Sequence, residues 1–260
     1  MFPKLLYRHL HRHFYSYLVF LAIATLWKVT TFSNFVADAN AQTFEPPVNN
    51  PAPTTTIGGG RRGSDGQCLK DLKDLDLHQK DFKANSSVEY QITPLLPPNQ
   101  FGLTISSNPR FFAYIPKTNA IAVEFTLENP QGKGLARKRI DLTTTPSVVN
   151  VQFDGLSLEI GKDYKWLVSL VCETGDPEDH FAEGIIRRIQ PESSMLAKLE
   201  KATAIDRVYI YAKFGIWYEA IANLANLRLS QPNNAELRSN WLNLLTSSNL
   251  APLANSPLKN

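Results

Sequence analysis

The chain has 260 residues, 43% of them hydrophobic and 20% charged, with 27 Lys and Arg against 24 Asp and Glu. That length suffices for one large domain or two small ones with real cores. Lys4, Arg8, Arg12 and Lys28, against the single acid Asp38, fall in the first 41 residues, so the remainder is balanced at 23 charges of each sign. A balanced remainder has no global field to draw in nucleic acid or an anionic lipid surface.

Residues 1–41 read as a secretory signal peptide. A basic start is followed by an apolar run from Phe14 to Trp27, then by small residues ending Ala37-Asp-Ala39-Asn-Ala41. That order is a positive region, a hydrophobic region and an A-x-A cleavage site. The competing reading is a retained anchor, but the apolar run falls short of the about 20 residues a spanning helix needs. Cleavage after Ala41 is therefore expected, with the product in the periplasm or outside the cell and no membrane span left.

Residues 42–67, QTFEPPVNNPAPTTTIGGGRRGSDGQ, are poor in large apolar side chains. Such a segment cannot offset its ordering entropy and is expected to be a disordered Pro/Thr/Gly-rich linker. Its GGGRRG lacks the Lys-Ser/Thr of a phosphate loop. The only cysteines, Cys68 and Cys172, are expected to pair in an exported chain. The bridge closes a loop of about 105 residues, for which chain entropy gives about 4–5 kcal/mol. A reactive thiol or a metal pair is the weaker alternative.

Residues 68–190 are expected to form a β-sandwich. In IAVEFTLE, Ile121, Val123, Phe125 and Leu127 alternate with Ala122, Glu124, Thr126 and Glu128, the period of a half-buried strand. VVNVQFD repeats this with Val149, Val151 and Phe153 inward. Further strands are expected at 101–106, 110–116, 135–142, 163–172 and 181–190, separated by turn signals such as Asn108-Pro109 and Gly175-Asp-Pro177. About seven short strands point to an antiparallel sandwich.

LEIGKDYKWLVSLVC (158–172) resembles the corner of fibronectin type III and immunoglobulin-like domains, where Leu-x-x-Gly-x-x-Tyr leads into a strand. The resemblance implies that the Tyr164 hydroxyl bonds back to the corner backbone, with Trp166 two positions on along the same inward face.

Residues 191–250 switch to a period of 3.6. Thr203-x-x-Asp206 starts a helix with Ile205, Val208, Tyr209 and Ala212 on one face. Gly215 breaks it. Trp217, Ala220, Ile221, Leu224 and Leu227 stripe the next helix, and Asn234 caps a third with Leu237, Trp241, Leu244 and Leu245. The run Tyr211-x-x-x-Gly215-x-Trp217-x-Glu219-Ala220-Ile221-x-x-Leu224 resembles a tetratricopeptide repeat, which implies a helical hairpin with Gly215 and Ala220 at its close approach. One repeat cannot stand alone, so the unit must lean on the sandwich, a second copy or a partner. Residues 251–260 are expected to be a flexible tail.

From about residue 58 to 250 the chain resembles a cyanobacterial exported family catalogued as domain of unknown function number 928. The resemblance rests on FGLTISSNPRFFAYIP (101–116), DYKWLVSLVC (163–172), EGIIRRI (183–189) and YAKFGIWYEAIANL (211–224). It implies an envelope protein and no established activity.

Candidate sites are few. Asp176, Glu178 and Asp179 in the expected loop before the last strand could hold Ca²⁺, yet a solvated turn explains the same residues. His180 and His78 are the only histidines after the leader. His180 beside Asp179 and Glu183 could act as a base, but no nucleophile elbow accompanies it. Asp176 with Glu183 as a glycosidase pair is an arbitrary choice among many carboxylates. Phe112 and Tyr114 form a binding platform if their sheet face is uncovered. Arg188 pairs with Glu183 or Asp179, or reaches an anion. No catalytic residue, metal or cofactor is assigned. The expectation is a non-enzymatic binding or scaffold module for an envelope protein or a surface polymer. A hydrolase acting on a wall or capsular polysaccharide is the alternative.

Overall fold

The computed structural model describes residues 43–47, 51–52, 87–172 and 177–259, with backbone alone at 87, 90 and 177–180. All belong to one unit, Ala41–Asn260. The leader, most of the expected linker, His78, Cys68 and Asp176 lie outside the described residues.

Among the described residues, eight strands form two sheets. They are β1 (Thr93–Pro94), β2 (Phe101–Thr104), β3 (Phe111–Ile115), β4 (Ala122–Glu128), β5 (Gly134–Asp141), β6 (Ser147–Val151), β7 (Asp163–Val171) and β8 (Pro177–Arg188). One sheet has order β1-β3-β6 and the other β2-β8-β7-β4-β5. The larger sheet is mixed, because β2 pairs with β8 in parallel while its other pairs are antiparallel. This corrects the all-antiparallel expectation. The long β8 offers its free edge to β2, and alternation within a strand does not encode the direction of its neighbour.

Alternation holds along β4, where Val123, Phe125 and Leu127 are fully buried and Glu124, Thr126 and Glu128 are half-buried. Ile121 departs from it and is 41% exposed. The chain bends there, one residue before the strand starts, so the period does not reach it. The edge strand β5 carries Arg137, Lys138 and Arg139. Charge of that kind discourages edge-to-edge pairing.

Among the described residues four helices follow: α1 (Ser193–Glu200), α2 (Ala204–Lys213), α3 (Trp217–Ser230) and α4 (Ala235–Thr246). The α2 start is a capping box in which Thr203 and Asp206 bond each other's backbone N–H. Asn234 Oδ1 accepts from the N–H groups of Glu236 and Leu237 at the start of α4. The short α1 lies within the expected helical unit but ahead of its first expected helix, and only Met195 and Leu199 of it are buried.

The α3 helix is a wedge between two apolar clusters. Trp217, Tyr218, Ile221 and Leu224 enter the inter-sheet core with Phe111, Phe125 and Trp166. Ile216 and Ala220 face a second cluster built from Phe101, Leu103, Met195, Leu199 and Tyr211. Burial on two sides explains the nearly uncharged sequence WYEAIANLANL. The expected boundary at 190/191 thus separates elements but not cores.

The C-terminus is not a flexible tail. Ala251–Asn255 is a 3-10 turn with Leu253 fully buried. Beyond it, Val148 N–H donates to Pro257 O and Lys259 N–H to Val148 O, each at 2.8 Å, so the end of the chain adds itself to the edge of β6. Asn150 Nδ2 donates to Lys259 O at 2.6 Å. Lone apolar residues such as Leu253 and Leu258 carry no period, which is why the sequence hid this.

Candidate functional site

The first turn of α3 locks the helix to the sheets. Trp217 Nε1 donates to Leu95 O at 2.7 Å. Trp166 Nε1 donates to the Tyr218 hydroxyl at 2.8 Å, and burial holds the Tyr218 phenol well above its usual pKa. Gly102 makes room for this pair, since a Cβ there would sit 2.7 Å from the Tyr218 ring. One oxygen of Glu219 accepts from Thr104 Oγ1 at 2.6 Å, Ser106 N–H at 3.0 Å and Ile105 N–H at 3.2 Å. Burial raises the Glu219 carboxyl above its ordinary range, and these hydrogen bonds pull it back.

The opposite side of this turn holds a strap from the expected linker. Phe44 is buried, with its ring edge-on to Trp217 at 4.9 Å. Phe44 N–H donates to Ser247 Oγ at 3.4 Å, and Glu45 N–H to Ala212 O at 3.1 Å. Gly215 has φ +70°, and a Cβ on it would lie 2.9 Å from Pro47 Cδ and 3.0 Å from Glu45 O. Gly215 therefore makes room for the strap, whereas the sequence reading gave it the approach of two helices. Further along, Arg187 Nη1 donates to Pro51 O at 3.3 Å, and Ala52 packs on the second cluster. Thr43–Pro47 and 51–52 are thus docked chain, contrary to the spacer expectation, because one aromatic and several prolines give the strap apolar area at low entropic cost.

Strap and domain enclose an apolar cavity of about 300 Å³ between Phe44, Pro47 and Pro51 on one side and Pro98, Phe101 and Gly215 on the other. Such a space suits an apolar side chain or a small apolar group.

The sequence-derived candidates are scattered. Phe112 and Tyr114 are buried, and Tyr114 Oη donates to Glu89 O at 3.0 Å. Both faces of β3 are covered, so these two residues do not form a surface platform. Arg188 donates to Leu158 O at 2.9 Å and Ile105 O at 3.4 Å, and among the described side chains no acid pairs with it. Glu183 is buried in the sheet, 4.0 Å from Lys165 Nζ. Glu178, Asp179 and His180 fall in strand β8 rather than in a loop, and their side chains lie outside the description, as does Asp176. The Tyr164 hydroxyl accepts from Glu159 N–H at 3.1 Å, and Trp166 and Ala220 are fully buried. Cys172 is buried at the end of β7, and no described cysteine is free.

Tyr218 and Phe44 escaped the sequence reading, and Glu219 entered it only as a position in the repeat-like pattern. An acid in a first turn reads as a dipole partner, and Phe44 is a single aromatic without period. Its one signal is its place just before Pro46-Pro47.

No helix among the described residues is long and apolar enough to cross a membrane. A family model described as Domain of Unknown Function (DUF928) matches residues 57–258, and the chain belongs to that family. No curated protein matches it. Among solved structures, the FN5 domain of Drosophila Lar is similar over 37% of this chain and 100% of its own length. Its identity is 14% and its TM-score 0.24, a likeness too slight to build on.

Proposed function

We propose that this DUF928 member is an exported envelope module, periplasmic or extracellular, whose work is binding rather than catalysis. Its ligand is an extended, proline-containing polypeptide segment carrying an aromatic anchor. The observation behind this reading is the strap. The groove over Gly215 and Trp217 already accommodates such a segment, Phe44–Pro47, through two backbone hydrogen bonds and one buried ring. Pre-extended proline segments bind grooves at low entropic cost. The cavity beside the strap is room that a longer anchor would fill.

Three finer points accompany the reading. The sandwich is fibronectin-like, supported by the three-plus-five sheets and the Tyr164–Glu159 bond. The α2–α3 pair is tetratricopeptide-like and rests on the sandwich in place of further repeats. Cys68 and Cys172 are bridged, in keeping with export.

The test uses the full chain carrying Phe44→Ala, which vacates the groove, and a synthetic peptide of sequence TFEPPVNNPA. The peptide is expected to bind in trans and change Trp217 fluorescence, with the matching peptide lacking its phenylalanine at least tenfold weaker. No binding at millimolar peptide, or equal binding of both peptides, overturns the reading.

A further inference from the structure

We infer that the far end of the helix pair is a binding site for an oxyanion, a carboxylate, sulfate or phosphate group, held by Arg228 and Arg238. This goes beyond the peptide groove and does not depend on it. Arg228 lies in the last turn of α3, eleven residues after Trp217, or about 16 Å along the helix.

Other arginines show how the fold uses this side chain structurally. Arg187 grips Asp163 with two bonds, at 2.6 and 2.8 Å, and Arg188 caps two carbonyls. Arg228 has neither arrangement. Its guanidinium lies over the Trp241 ring at 5.1 Å from the centroid. Its Nη1 is sealed from solvent with no acceptor. Among the described residues no carboxylate pairs with it, and the charge that acts on it is another cation, Arg238, which stands one turn before Trp241 on α4. Burial and that like charge both lower its pKa. Arg238 spends one N–H on Pro232 O at 3.3 Å, and a guanidinium has five. Trp241, beneath Arg228, is fully buried and its Nε1 also lacks an acceptor.

Two orphaned donors on touching side chains, beside a second like charge, are a local cost. The helix dipole accounts for a cation in the last turn. It does not account for burying Nη1 without an acceptor or for placing a second arginine beside it. Stacking on Trp241 requires neither. What the arrangement lacks is an acceptor with negative charge, and the guanidinium fork matches a two-oxygen face. Rules broken locally without structural gain point to function.

The test measures thermal unfolding of the full chain with sodium sulfate, phosphate, galacturonate monomer and polygalacturonate, each against sodium chloride of equal ionic strength. At tenfold above Kd an occupied site raises the melting temperature by about 3–6 °C. Arg228→Met and Arg238→Gln are expected to abolish the anion-specific part. Without anion, Arg228→Met is expected to melt no lower than the unmodified chain, because it keeps the stack on Trp241 and removes the unpaired charge. A rise that persists in both variants is general salting-out and overturns the site. So does no rise with any of the four anions, or an Arg228→Met chain that melts several degrees lower without anion. With the site established, polymer binding at least tenfold tighter than monomer assigns the anion to an acidic polymer, and equal binding assigns it to a free small anion.

Discussion

At the start of α3, Trp217, Tyr218 and Glu219 each place a polar atom against a partner outside the helix: Leu95 O, Trp166 Nε1, and the Thr104 hydroxyl with the Ile105 and Ser106 N–H groups. At the other end of the same helix, Arg228 Nη1 and Trp241 Nε1 are buried with nothing to bond. Both ends bury an indole, Trp217 against the edge of Phe44 and Trp241 beneath the Arg228 guanidinium. The difference is one of degree: the first end leaves only Glu219 Oε2 unbonded while its other polar atoms are partnered, whereas the second leaves both Arg228 Nη1 and Trp241 Nε1 without an acceptor. A folded chain tolerates an unfinished end only when the finished one supplies the stability, so the two should respond differently to the same kind of substitution.

The largest effect belongs to the finished end. Trp217→Ala removes a fully buried indole, its bond to Leu95 and the ring under Phe44. It is expected to cost about 3–5 kcal/mol, read as a lower denaturation midpoint by circular dichroism. Since α3 belongs to both apolar clusters, the sheets should unfold with the helices in one transition. A separate helical transition with intact sheets would show that the two parts are independent.

Glu219 comes next. Glu219→Ala strips the acceptor from one hydroxyl and two backbone N–H groups and is expected to cost about 2–3 kcal/mol. The pH dependence has a definite sign. The folded chain holds the Glu219 proton more tightly than the unfolded chain. Its contribution is therefore fully present below the unfolded carboxyl pKa and is lost as pH rises through the folded value. Glu219→Gln keeps an oxygen acceptor and removes the ionisation. The unmodified chain should lose stability relative to Glu219→Gln as pH rises above the ordinary carboxyl range, measured by urea unfolding across a pH series. Parallel curves would mean that the carboxyl is not held high.

How much of this could be read in advance follows from what leaves a period. The stripes Trp217–Leu224 and Leu237–Leu245 and the alternation of β4 and β7 were legible because burial repeats at 3.6 or 2 residues. The parallel β2–β8 pair, the Pro257–Lys259 addition to β6 and the docking of Phe44 were not, since each depends on a contact distant in sequence. Whether Phe112 and Tyr114 form a platform was conditional on an uncovered sheet face, and the sequence could not decide it for a related reason. Alternation gives two faces but not whether the second is covered, and in β3 both are. The unfinished end was invisible too: Arg228 in sequence is an ordinary last-turn cation, and only the fold shows that nothing answers it.

The smallest effect is the most direct comparison of the two ends. Trp217 and Trp241 are both fully buried indoles. Replacing either by Phe removes similar apolar area, so the shared loss cancels in the difference. What remains is the N–H. In Trp217→Phe a bond at 2.7 Å is lost and Leu95 O is left without that donor. In Trp241→Phe an N–H with no acceptor disappears. Trp217→Phe should therefore cost about 1–2 kcal/mol more than Trp241→Phe, measured by urea unfolding of both variants in chloride buffer. Equal costs in chloride would mean that the Trp241 N–H already has a partner, and the contrast between the two ends would then rest on Arg228 alone.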